Sequence, residues 1–162
     1  MQNNNYIAID IKTSGRDPYS DYIKMISAVK FTSAAEKGRF SCTIESRELP
    51  VIDQKIIMGT QKTKKFFSFR SAYSDFLKFI GDANLISHFS YPDRVFFENE
   101  CARNHLIMFS NEWIDTQEIM LGQHNGRSKM SDAIEIFGLK ANTRSIFSDV
   151  EITKNIFMRS IH

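Results

Sequence analysis

Ile7-Ala8-Ile9-Asp10-Ile11-Lys12-Thr13-Ser14-Gly15 reads as a buried strand that carries an acidic residue into a Thr-Ser-Gly turn. Side chains alternate along a strand with period two, so Ile7, Ile9 and Ile11 share one face while Tyr6, Ala8, Asp10 and Lys12 share the other. An acid and a lysine two residues apart therefore meet on one face at the strand's end. Taken alone, the segment is a strand exit capped by Asp10 beside a solvated Lys12. The other segments of the chain change that reading.

The 162 residues are the size of one ordinary domain, and the chain is read as a single domain over 1–162. Charged residues make up 25% and apolar ones 42%, and no run approaches the ~18 apolar residues of a membrane helix, which predicts a soluble globular protein without a membrane partner. The polar, uncharged start Met1-Gln2-Asn3-Asn4-Asn5 is unlike a secretory or transit signal, so the expected location is the cytoplasm. Cys42 and Cys101 have no paired spacing; neither a disulfide framework nor a zinc knuckle is suggested, and both are expected as small buried hydrophobes. A net charge of +2 permits an anionic partner without requiring one.

Arg16 to Tyr22 is turn-rich. Ile23 to Thr32 and Arg39 to Ser46 have strand-like content, and their short connection predicts a hairpin, so the chain opens as a three-strand meander. Leu49 to Lys65 has no sustained period and reads as a surface excursion. Phe69, Tyr73, Phe76, Leu77 and Ile80 fall on one helical face with Gly81 just past the end, an amphipathic helix with a glycine stop. Asn84 to His88 predicts a short buried strand, and Pro92 sits in the first turn of a helix running to about Asn104. Asp115 to Leu121 and Lys129 to Phe137 predict two more helices, the second stopped by Gly138. Ser148-Asp149-Val150-Glu151 predicts a capping box at the start of the last helix. Strands first, then helices alternating with a strand, imply an α/β fold around a mixed sheet.

Three segments each place an aspartate at an element terminus: the strand ending at Asp10, Leu85 to Asp93 entering a helix, and Arg144 to Asp149 opening the last helix. In this order and spacing they resemble the 3′-to-5′ exonucleases of the DEDD superfamily, in the histidine subgroup that includes the proofreading subunit of bacterial replicases. The resemblance runs over nearly the whole chain. Ile57-Met58-Gly59-Thr60-Gln61 stands where that family carries a His-Gly-Ile-Thr turn, Trp113-Ile114-Asp115-Thr116 matches its Ile-Asp-Thr helix start, and Lys129 through Leu139 matches the helix before the last motif. The implied architecture is the RNase H-like exonuclease fold, with the meander and further strands in a mixed central sheet flanked by helices.

The resemblance further implies a two-metal mechanism, in which four carboxylates hold two divalent ions, Mg²⁺ or Mn²⁺, about 4 Å apart and a histidine deprotonates the attacking water. Asp10, Asp93 and Asp149 match three of those carboxylates and are the candidate metal ligands. The glutamate of the first motif falls on Lys12, the histidine of the last motif on Arg144, and the asparagine after the second-motif histidine on Phe89. Exchanging a glutamate for a lysine alters the local charge by as much as one Mg²⁺, and an ammonium cannot ligate a hard cation. A guanidinium does not lose a proton at neutral pH and cannot serve as the base. Catalysis is therefore expected to be impaired and metal binding weak, at a single position, or absent.

The Thr13-Ser14-Gly15 turn and His88 are candidate nucleic-acid contacts beside the first two motifs. Lys62, Lys64 and Lys65 form a basic patch suited to phosphates or simply a solvated loop. Phe66-Phe67 is read as core in preference to a stacking face, and Arg127 and Lys129 as weaker basic candidates. Three functions compete: a degenerate exonuclease that keeps a groove for single-stranded nucleic acid; an active 3′-to-5′ exonuclease in which Asp17, Glu98 or a partner chain replaces the lost groups; and a non-catalytic subunit that binds a polymerase or another protein. A homodimer is compatible with each.

Overall fold

The computed structural model describes residues 5–44, 66–142 and 144–161, and its sheet is built outward from the segment quoted above. β1 (Tyr6–Thr13) runs antiparallel to β2 (Ile23–Phe31), which in turn runs antiparallel to β3 (Glu36–Ile44). On its other side β1 pairs in parallel with β5 (Asn84–Ser87), and β5 in parallel with β6 (Trp113–Asp115). With β4 (Phe66–Phe67) added beside β3, the order is β4-β3-β2-β1-β5-β6 in one six-stranded sheet. The helices are α1 (Phe69–Ile80), α2 (Ser90–Arg103), α3 (Thr116–Gln123), α4 (Met130–Phe137) and α5 (Ser148–Ser160).

The alternation in β1 decides which helix packs where. Ile7, Ile9 and Ile11 enter a core with Phe69, Tyr73 and Phe76 of α1 and Phe96 and Phe97 of α2. Ala8 joins Val150 and Phe157 of α5 on the opposite face. A third cluster, Met120, Ala133, Ile152 and Ile156, locks α3 and α4 onto α5. Phe76 and Phe97 are fully buried and stack with ring centroids 5.5 Å apart; burying such a side chain contributes about 1.5–3 kcal/mol. Both cysteines are free and buried.

Several boundaries differ from the sequence expectation. β3 begins at Glu36, because the hairpin closes tightly where Thr32 N donates to Ala35 O at 2.9 Å. Trp113–Asp115 is a strand, too short for period-two alternation to register, and α3 starts only after it. Phe66-Phe67 forms β4, and Phe67 packs against the core. The expected Ser148–Glu151 capping box does not form: Phe147 holds the N-cap position of α5 without a side-chain cap. Glu151 instead meets Arg39 at 2.5 Å and Lys154 at 3.0 Å, two cations that outcompete a backbone amide for its charge. Ile57 to Gln61 and Lys62, Lys64 and Lys65 lie outside the described residues.

Candidate active site

Parallel pairing brings the carboxyl ends of β1, β5 and β6 to one edge of the sheet, beside the antiparallel β2. In open α/β sheets this is where ligand crevices form. The β1–β2 register shifts between Lys12 and Thr13, a bulge at the point where the strand leaves the sheet. Asp10 and Lys12 project toward the start of α5. There Lys12 Nζ lies 2.9 Å from Asp10 Oδ2 and 2.5 Å from Asp149 Oδ2. The first- and third-motif carboxylates are thus joined by an ammonium.

Burial alone would lower the Lys12 ammonium, but the hydrogen bond to Asp149 and the charge of Asp10 outweigh it and hold Lys12 above its ordinary value. Burial raises the Asp10 carboxyl despite the neighbouring Lys12, with Asp149 adding to the rise. Asp93, in the first turn of α2, faces β5: Ser87 Oγ donates to Asp93 Oδ2 at 2.5 Å. Burial pushes the Asp93 carboxyl up to about 7, Ser87 opposing this and the Asp10 charge reinforcing it. Asp93 is therefore within electrostatic reach of Asp10 and Lys12 while its hydrogen bond goes to the sheet.

Arg144 stands apart, exposed in the turn before α5; its backbone N–H donates to Asn142 Oδ1 at 3.3 Å, and its guanidinium has no partner among the described residues. His88 follows β5, with Nδ1 3.0 Å from Thr116 Oγ1 and a buried Nε2. Burial holds its imidazole below the usual value, against the opposing charge of Asp115. Thr13 Oγ1 donates to Gly15 O at 2.6 Å, and Ser14 Oγ to Asp21 Oδ1 at 2.8 Å. At Gly15 a Cβ would fall 2.2 Å from Asp21 Oδ2, so only glycine admits that carboxylate.

The acids considered as replacements are committed elsewhere. Asp17 accepts from Tyr19 N at 3.0 Å and Ser20 Oγ at 2.7 Å, and Glu98 pairs with Arg94 at 3.1 Å. Arg127 pairs with Glu135 at 2.7 Å, and the Lys129 backbone N–H donates to Asp132 Oδ2 at 2.9 Å.

Asp115 is a residue whose full role the sequence did not disclose. Its Oδ1 accepts from Gln117 N at 2.8 Å and Phe89 N at 3.0 Å, and its Oδ2 from Ser90 N at 2.7 Å and Ser90 Oγ at 3.0 Å. One carboxylate therefore caps α3 and also fastens the start of α2, the helix that carries Asp93. Asp115 with Glu118 three residues on is a helix-start signature for α3; nothing local marks the link to α2. Phe89, at that junction, has φ +64°, a left-handed conformation that asparagine tolerates better than phenylalanine.

No protein-family model and no curated protein matches the chain. Solved structures do. A 3′-exonuclease that recognises the 3′ end of the histone mRNA stem-loop superposes with TM-score 0.77 at 14% identity, over 98% of this chain and 81% of its own. The nuclease domain of 3′hExo bound to rAMP, described as a DEDDh family member, gives 0.73 at 13%, over 99% and 92%. The fold is that of the DEDDh exonucleases. Exonuclease I of E. coli in complex with a dT13 oligonucleotide gives 0.73 at 14% identity, over 98% of this chain. This chain spans about two fifths of the length of exonuclease I.

Against the DEDDh exonuclease scheme, the side chains as disposed do not make a ligand set for a pair of divalent ions. Lys12 Nζ, which has no lone pair to offer, touches both Asp10 and Asp149. Asp93 is hydrogen-bonded to Ser87. Among the described residues no group of three or more His, Cys, Asp or Glu side chains is placed to hold a metal. No helix among them is long and apolar enough to cross a membrane.

Proposed function

We propose that this chain is a domain that binds single-stranded nucleic acid on an exonuclease fold, with two-metal hydrolysis impaired at its first and last motifs. The observation that carries the reading is the Lys12 ammonium lodged between Asp10 and Asp149. It supplies in place the positive charge that a divalent ion would otherwise bring to those carboxylates, and a metal would have to displace it at the cost of both ion pairs. Arg144 adds the second defect, since a guanidinium is no general base. Solved neighbours seen with dT13 and with rAMP support a nucleic-acid ligand, for which a strand with a free 3′ end is the proposed form.

The test is a titration of Mg²⁺ and Mn²⁺ with a labelled single-stranded oligonucleotide, scoring binding and 3′ shortening together. Binding is expected to be metal-independent and to weaken steeply with salt, because phosphate contacts release counterions. No shortening above background is expected. Shortening that Asp10→Ala abolishes would overturn the impaired reading, and no binding at low salt would replace it with a protein-interaction role.

A further inference from the structure

We propose that the groove between the loop after β1 and the outer face of α2 is a stacking site for an unpaired base of single-stranded nucleic acid; this rests on the nucleic-acid reading above. Tyr19 and Tyr91 are 77% and 72% exposed and line one open cavity of about 460 Å³ together with Arg94 and Glu98. Single exposed aromatics are unremarkable; here two border the same cavity. Neither phenol ring has a ring, cation or hydrogen-bond partner among the described residues. The cavity falls in the range that holds a small planar ligand.

The platform is held in place. Tyr19 N donates to Asp17 Oδ1 at 3.0 Å, and Asp17 N donates to Asp21 Oδ2 at 3.0 Å. Arg103, itself paired at 3.0 Å with the buried Glu100, donates to Asp21 O at 2.8 Å, so the loop is pinned to α2. Tyr91 sits in the first turn of α2, on the outer face of the helix whose inward side carries Asp93 toward β5. The backbone that carries the two rings is thus ordered before a ligand arrives, which limits the entropy lost on binding.

Charge selects the mode of recognition. Arg94 Nε donates to Glu98 Oε1 at 3.1 Å, which leaves the groove close to neutral and the rest of the guanidinium without a partner among the described residues. A neutral groove with two aromatic faces favours the flat face of a base over the phosphate. Every base has such a face, so the site tolerates any sequence.

The experiment measures the affinity of the full chain for a labelled single-stranded oligonucleotide across a salt series. Tyr19→Ala and Tyr91→Ala are each expected to weaken binding about 5- to 150-fold, with an unchanged slope of log affinity against log salt, since stacking releases no counterions. Tyr91→Phe should retain affinity. Abasic positions in the oligonucleotide should weaken binding to the unaltered chain and not to Tyr91→Ala. Full affinity in both alanine variants, or a loss that lowers the salt slope, would overturn the stacking site and leave the nucleic-acid reading standing. No oligonucleotide bound by the unaltered chain at low salt would overturn both.

Discussion

Lys12 Nζ donates a 2.5 Å hydrogen bond to Asp149 Oδ2 across 137 residues of sequence. The same nitrogen is 2.9 Å from Asp10, so one ammonium joins the end of β1 to the first turn of α5 and neutralises much of the repulsion between two acids. An acid in a first helical turn also interacts favourably with the helix dipole, which makes Asp149 a good anchor for this latch. The neighbouring network continues it: Arg39 meets Glu36 at 2.6 Å and Glu151 at 2.5 Å, while Lys154 meets Glu36 at 3.2 Å.

Lys12→Met should therefore destabilise the fold by about 1–2 kcal/mol at low ionic strength, a figure held down by the partial exposure of all three side chains. It leaves Asp10 and Asp149 close and unpaired. Urea denaturation at low and high salt checks this: the deficit should shrink as salt screens the repulsion. An unchanged midpoint at both ionic strengths would show the latch to be without energetic consequence.

Lys12→Glu should convert the latch into an acid cluster. Without metal the variant is expected to melt below the unaltered chain, and Mn²⁺ should raise its melting temperature in a concentration-dependent way. Hydrolysis should stay slow until Arg144→His is added, since a positioned base contributes ~10²- to 10⁴-fold. The two changes act on one water, so the double variant should exceed the product of the single effects. Thermal melts with Mn²⁺ and an oligonucleotide-shortening assay read the two stages separately.

Asp93 carries the pH prediction. Its carboxyl is raised from 3.8 to about 7 in the fold, chiefly by burial. Between those values the folded chain holds a proton that the unfolded chain has released, so this group's contribution to stability is present at lower pH and falls as pH rises toward about 7. Asp93→Asn keeps an acceptor for Ser87 Oγ and removes the ionisation. Denaturation midpoints measured from about pH 5 to 8 should decline less in Asp93→Asn than in the unaltered chain, with the variant gaining ground at the alkaline end.

Asp115→Ala should cost about 2–3 kcal/mol, because it removes the cap of α3 and uncouples the backbone N–H groups of Phe89 and Ser90 at the start of α2. Asp115→Asn, which retains one good acceptor, should cost roughly half as much. Hydrogen exchange should quicken at the Ser90 and Gln117 amides together in the alanine variant. Faster exchange at Gln117 alone would show that the link to α2 carries no energy.

By itself the sequence determined the local geometry. Alternation in β1 set Asp10 and Lys12 on one face, the helical spacing of Phe69, Tyr73, Phe76 and Ile80 set α1, and the order of the three aspartate segments pointed to the fold. These follow from backbone periodicity and from stop signals such as Gly81 and Gly138, which act over a few residues. Only the tertiary structure decided which charges meet. Lys12 was legible as a cation at the position of the first-motif glutamate, but its 2.5 Å contact exists only because α5 brings Asp149 to it; Glu151 was legible as half of a capping box until Arg39 and Lys154 claimed it, and Asp115 was legible as the start of one helix rather than the cap of two. The same holds for Tyr19 and Tyr91, which share a groove only because Asp17, Asp21 and Arg103 fold the loop after β1 against α2. Electrostatic pairing depends on distances of a few ångströms between segments far apart in the chain, and those distances exist only once the sheet edge has closed and the helices have packed on it.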